Sequence, residues 1–138
     1  MKRHGCAALA VAVAALLGGG ARAESLEGTA AVLQGLDKVT ARVSRFEAPV
    51  GQTVGFNRLR ITVRACRKRP PEEPPESAAF LEIDDVQPNG EVKRVYSGWM
   101  FASSPAVAAM EHPVYDVWVL DCRVAEAPPP TPPAPPRR

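Results

Sequence analysis

The sequence predicts an all-β domain: a small β-sandwich or barrel of about seven short strands, with one short helix and one disulfide. Three observations predict it. Short runs alternate apolar and polar residues, most cleanly Leu59–Cys66, where Leu59, Ile61, Val63 and Ala65 oppose Arg60, Thr62, Arg64 and Cys66. Turn signals such as Pro49-Val50-Gly51 and Gln87-Pro88-Asn89-Gly90 punctuate those runs. Two cysteines, Cys66 and Cys122, end two of the predicted strands.

In order, Thr29–Leu36 reads as a first strand, and Asp37-Lys38 as a turn. Val39, Ala41 and Val43 alternate with Thr40, Arg42 and Ser44, the period of a half-buried strand, and Phe46 breaks that phase. A bulge at Ser44 or Arg45 would absorb the break. A short strand is expected over Gln52–Phe56 and another over Leu59–Cys66. Ala79–Val86 and Val92–Phe101 form a hairpin about Asn89-Gly90, residues that tolerate positive φ. Ser104 is placed to cap a short helix over Ala106–Met110 with Pro105 at its first position, and His112-Pro113 ends it. Val114–Cys122 is the last strand.

Both ends look unlike this domain. Residues 1–23 carry Lys2, Arg3 and His4, then an apolar run from Cys6 to Leu17, then Ala21-Arg22-Ala23. That is the pattern of a secretory signal peptide cleaved after Ala23, which predicts a periplasmic protein. The apolar run is shorter than a spanning helix needs, and nothing later could cross a membrane as a helix. Residues 24–124 form the β-domain. Residues 125–138, with Pro128-Pro129-Pro130 and Pro132-Pro133, read as a polyproline or disordered tail, a spacer or a short docking segment.

Removing residues 1–23 leaves 14 basic residues against 15 acidic ones. The basic balance of the full chain thus belongs to residues 1–23 and argues for neither nucleic acid nor an anionic membrane as the partner, and no nucleic-acid partner is expected. It also leaves two cysteines, and an even pair in an exported chain predicts a Cys66–Cys122 disulfide.

Charge is unevenly placed. From Asp37 to Arg69 there are nine basic residues and two acidic ones; from Glu72 to Glu91 there are seven acidic residues and no basic one. Arg67, Lys68 and Arg69 directly precede the Pro-stiffened Glu72, Glu73 and Glu76. Two readings stay open: a dipolar loop that docks an anionic partner, or glutamates folded back on the cations. Arg60 and Arg64 would extend the surface, and Trp99 would add an apolar anchor.

Catalysis has thin support. His112 is the one histidine after Ala23, and a hydrolase reading would need Ser103 or Ser104 with Asp116 or Asp121, without a nucleophile-elbow glycine pattern. Asp84 and Asp85 with Asn89 and Glu91 match no calcium loop and read as a solvated hairpin end. No phosphate-binding glycine loop is present and no cofactor is implied. Apolar residues on both faces of Val92–Phe101 and Val114–Cys122 call for cover from within the domain or from a partner. A groove near Trp99, Tyr115 and Trp118 is the alternative site, suited to a small or polymeric envelope ligand.

Three stretches resemble one family: Cys66–Glu76, Ser97–Pro105 and Glu111–Trp118. The family is an exported bacterial one known as domain of unknown function 2155, and the similarity spans about Ala31 to Arg123. The resemblance implies a signal peptide, a periplasmic location and no assigned reaction. Through that family's gene neighbourhoods it implies a link to an accessory subunit of respiratory NADH dehydrogenase. The expectation is therefore a periplasmic, non-enzymatic accessory or assembly factor for an envelope or inner-membrane complex. It would work through protein contacts at Arg60, Arg64, Arg67, Lys68, Arg69, Glu72, Glu73, Glu76 and Trp99.

Overall fold

The computed structural model describes residues 24–126. The expected signal peptide and the Pro-rich run after Glu126 lie outside the described residues. Seven antiparallel strands follow in order: β1 Leu26–Asp37, β2 Arg42–Pro49, β3 Thr53–Phe56, β4 Leu59–Lys68, β5 Ser77–Val86, β6 Val92–Phe101 and β7 Tyr115–Val124. One 3-10 turn, Pro105–Ala108, lies between β6 and β7.

The strands make two sheets that share β1. The larger runs β3-β4-β5-β6; the smaller is β2-β1-β7. Leu26 and Glu27 pair with Lys68 and Arg67 at the end of β4, while β1 pairs with β7 from Gly28 and with β2 from Ala30. The register shifts between Gly28 and Ala30, where β1 passes from one sheet to the other. The result is an open sandwich, without barrel closure.

Packing explains the crossing. The sulfurs of Cys66, on β4, and Cys122, on β7, lie 1.95 Å apart, a disulfide that joins the two sheets. A Cβ on Gly28 would come within 3.1 Å of both cysteine Cβ atoms and of the Arg123 carbonyl oxygen. Glycine lets the crossing strand run beside the sulfur bridge. Between the sheets lie Leu33, Leu59, Ile61, Val63, Leu81, Ile83 and Val119, all fully buried. Ala30, Ala31, Val32 and Leu33 are buried in succession, so β1 is covered on both faces.

Two expectations about strand faces are corrected. β4 does not keep its alternation: the register against β5 shifts between Val63 and Ala65. That bulge turns Cys66 to the core side with Leu59, Ile61 and Val63, and gives Ala65 the outer phase. Without it Cys66 would face away from Cys122. The Val39/Ala41/Val43 face is not a core face either. Residues 38–41 are a turn, with Ala41 at φ 56°, and Val39 and Val43 are 78% and 58% exposed. β2 pairs with β1 without a register shift, so the expected bulge at Ser44 or Arg45 is absent. The inward phase belongs to Phe46 and Ala48. Phe46 stacks on Phe56, whose ring lies over Gly35, where a Cβ would meet it at 2.6 Å.

Turn details also differ. In the β5–β6 hairpin only Gly90 has positive φ; the Asn89 side chain instead accepts the Glu91 N–H. The expected helix shortens to a single 3-10 turn, because the chain is extended again at Ala109. The Ser104 hydroxyl makes no cap there.

Candidate functional site

The outer face of the larger sheet gathers Arg60, Arg64 and Arg67 of the charged side chains that the sequence singled out, together with Trp99. Alternation along β5 sends Phe80, Glu82 and Asp84 outward while Ala79, Leu81 and Ile83 enter the core. Pairing fixes their neighbours. Asp84 lies between Arg60 of β4 and Arg94 of β6, Glu82 between Thr62 and Ser97, and Phe80 between Ala65 and Trp99.

One end of this face is ionic. The Arg64 guanidinium bonds Glu82 at 2.9 Å, and Arg94 bridges Asp84 and, at 3.9 Å, Glu82. The hydrogen bond to Asp84 holds the Arg94 guanidinium above its ordinary range. Arg60 donates to the carbonyls of Asn57 and Leu59 rather than to a carboxylate. Such exposed pairs add little stability. The other end is apolar: the rings of Phe80 and Trp99 meet edge to face, centroids 5.6 Å apart at 81°, and Phe101 follows on the same side. Phe80 escaped the sequence reading, and Phe101 entered it only as one of the apolar residues of Val92–Phe101 in need of cover. Alternation alone would not have found the pair: without the register shift between Ile83 and Asp84 the hairpin would set Phe80 opposite Gly98 and turn Trp99 to the other face.

The Arg67–Glu76 segment is divided. Arg67 shares the outer face and approaches Glu27 at 4.0 Å. Lys68 turns the opposite way and bonds Asp121 at 2.9 Å. Burial acts to raise the Asp121 carboxyl, but the bonds from Lys68, the Cys122 N–H and Ser77 outweigh it and hold it low. Arg69 pairs with Glu73 at 3.9 Å, so one of the three glutamates folds back onto a cation. Glu76 instead accepts the Ser77 and Ser103 N–H groups and the Ser103 hydroxyl. Burial raises its carboxyl as well, and the Ser103 bonds, the Ser77 N–H and the Arg69 charge together bring it below the ordinary value. Beneath the loop lies an open cleft of about 680 Å³ whose lining includes Leu26, Lys68, Pro71, Leu120 and Val124.

The alternative groove is not assembled. Trp99 lies on the outer face of β6. Tyr115 is buried, stacked on His112 at 5.2 Å and edge-on to Phe56. Trp118 lines a separate cleft of about 280 Å³ beside Pro105 and Met110.

The hydrolase trio is not assembled either. His112 is buried, and its Nδ1 accepts the N–H groups of Val114 and Tyr115, each at 3.1 Å. The proton is therefore on Nε2, which donates to Asp85 Oδ2 at 3.0 Å. Asp116 bonds Lys38, and Asp121 bonds Lys68. Asp85 is no part of a solvated hairpin end: it is 2% exposed and also receives Arg58 in a two-pronged bond, 3.0 and 2.7 Å, and Gln87 at 2.7 Å. The Arg58 bonds act first, and burial opposes them; with His112 and Gln87 they lower the Asp85 carboxyl to about 2. No group of three or more His, Cys, Asp or Glu side chains among the described residues is arranged to hold a metal ion. No helix among them is long and apolar enough to cross a membrane.

Residues 31–122 match a family described as an uncharacterized protein conserved in bacteria, domain of unknown function 2155. The chain belongs to that family. An uncharacterized protein of Rickettsia prowazekii (strain Madrid E), RP359, is 24% identical over 87 residues, 63% of this chain and 56% of the relative. The chain thus matches a little over half the length of that relative. No solved structure matches.

Proposed function

We propose that this member of the family is a periplasmic, non-enzymatic accessory or assembly factor for an envelope or inner-membrane complex, a respiratory complex being one candidate. Its contact surface is the outer face of the larger sheet. One observation carries this reading: Arg60, Arg64 and Arg67 of β4 share that face with Trp99 of β6, where Phe80 and Phe101 add an apolar end to an ionic one. An apolar anchor rimmed by paired charge is how protein interfaces divide affinity from specificity. The commitment of His112 to Asp85 and to two backbone N–H groups supports the non-enzymatic part. The tripartite sequence of residues 1–23 supports the periplasmic part.

Photocrosslinkers placed in living cells at Arg60 and Phe101, on the larger sheet, and at Val43, on the smaller, test the surface. The same discrete adduct is expected from the first two positions and none from Val43. Recovery of uncrosslinked chain alone from all three, or an adduct only from Val43, overturns it.

A further inference from the structure

The apolar end of this face has a specific shape. Phe80 and Trp99 stand nearly perpendicular, 81° apart, and form a corner rather than a flat platform. Ala65 and Ala78 occupy the adjoining outward positions, so the floor beside the rings is low. Perpendicular aromatic rings over a shallow floor are suited to a pyrrolidine ring, and aromatic-lined grooves recognise polyproline segments in this way. Trp99 supplies an indole N–H, and Arg67, with half its side chain exposed, supplies guanidinium donors. Proline carbonyls are acceptors, and prolines have no N–H with which to join a sheet edge as a strand.

The chain carries such a segment within reach. Val124 pairs with Gly28, next to Glu27; Glu27 pairs with Arg67, Arg67 with Ala78 and Ala78 with Phe101. From the exit of β7 to β6, the far side of the aromatic corner, is thus four strand spacings, roughly 19 Å. Seven prolines lie between Pro128 and Pro136, and in polyproline form those nine residues span roughly 28 Å. Tethering raises the local concentration of the segment at the corner without any new contact.

We infer that the Phe80–Trp99 corner is a polyproline-binding site, and that Pro128–Pro136 of the same chain occupies it in cis. This rests on the outer face being the contact surface and adds its regulation: a partner must displace the tail, or bring a proline-rich segment of its own.

Nuclear magnetic resonance of the full mature chain tests this. The Trp99 indole N–H signal is assigned by its loss in Trp99→Phe. In a chain of equal length with the seven tail prolines replaced by serine, that signal should shift. A synthetic peptide of residues 125–138, added to the serine-tailed chain, should return it saturably towards its original position. The Trp118 signal, on the smaller sheet, should stay still throughout, and Phe80→Ala should abolish the peptide response. An unmoved Trp99 signal, or equal movement of Trp118, overturns the inference. The two proposals fail separately. An adduct at Phe101 with no tail effect on Trp99 retains the contact surface and removes the cis tail. A tail effect with no adduct retains the tail site and removes the partner surface.

Discussion

The two ends of the sandwich are held by different chemistry. At one end, where β4 finishes and β7 exits, a covalent bond between Cys66 and Cys122 joins the sheets beside Gly28. At the other, Asp85 gathers Arg58 from the β3–β4 turn, Gln87 from the hairpin and His112 from the segment before β7. The first bond answers to reductant and does not itself titrate, although the neighbouring Asp121 carboxylate, held low by Lys68, the Cys122 N–H and Ser77, does. The second is indifferent to reductant and fails when one carboxylate takes a proton. A domain of about 100 residues with a modest core thus has two independent fastenings, each with its own way of being undone.

Four measurements break or sharpen this contrast. Replacing both cysteines by alanine should cost most, about 4 kcal/mol for a cross-link closing a loop of sequence separation 56, read as a lower denaturant midpoint with little change at the Asp85 end. Asp85→Asn should follow at about 3 kcal/mol, because it leaves the buried His112 donor, the half-buried Gln87 amide and the Arg58 fork without their anion. If the loss were equal with the disulfide present and absent, the ends would be uncoupled as described; a strongly non-additive double variant would join them.

Acid should act through the same carboxyl. Its folded value of about 2 lies below the unfolded 3.8, so the stabilisation is complete above about pH 4 and is lost as pH falls through 2. The expected loss through Asp85 is about 2 kcal/mol, and Asp85→Asn removes that part while leaving the acid sensitivity of Glu76 and Asp121. The smallest effect is expected from Arg64→Ala, within about 0.5 kcal/mol, since its partner Glu82 keeps Arg94 nearby and the guanidinium is more than half exposed. A larger loss would make the outer face part of the fold's support rather than a surface free for contacts.

Much of the architecture was legible in the sequence because the strands are short and punctuated by strong turn residues. Leu59–Val63 and Val92–Phe101 were placed by alternation and by the Asn89-Gly90 hairpin. What stayed hidden was set by contacts across the fold. The bulge between Val63 and Ala65 reverses the face of Cys66, and only the need to reach Cys122 reveals it. The Val39/Ala41/Val43 alternation has the period of a core strand, but the β1–β2 turn takes Val39 and Ala41 outside the sheet, and pairing with β1 turns Val43 outward. Asp85 and His112 are 27 positions apart, and no local pattern marks either as half of a buried pair. On the outer face, Arg60, Arg64, Arg67 and Trp99 were each recognised, but their meeting with Phe80 and Phe101 required the pairing register.

Gly28 has a consequence for the order in which the molecule can be built. Strand β1 is the first to leave the ribosome, and one of its two long partners, β7, is the last, with Val124 arriving opposite Gly28. Until then a strand with four successive buried residues, Ala30–Leu33, has an unsatisfied edge, and Cys66 waits without its partner. Synthesis can prepare the β4–β5–β6 hairpins early, since their contacts are local, but closure is a terminal event. The chain must be kept from pairing that edge elsewhere during the interval. Any truncation before β7 leaves a chain that cannot finish folding, however complete its other sheet.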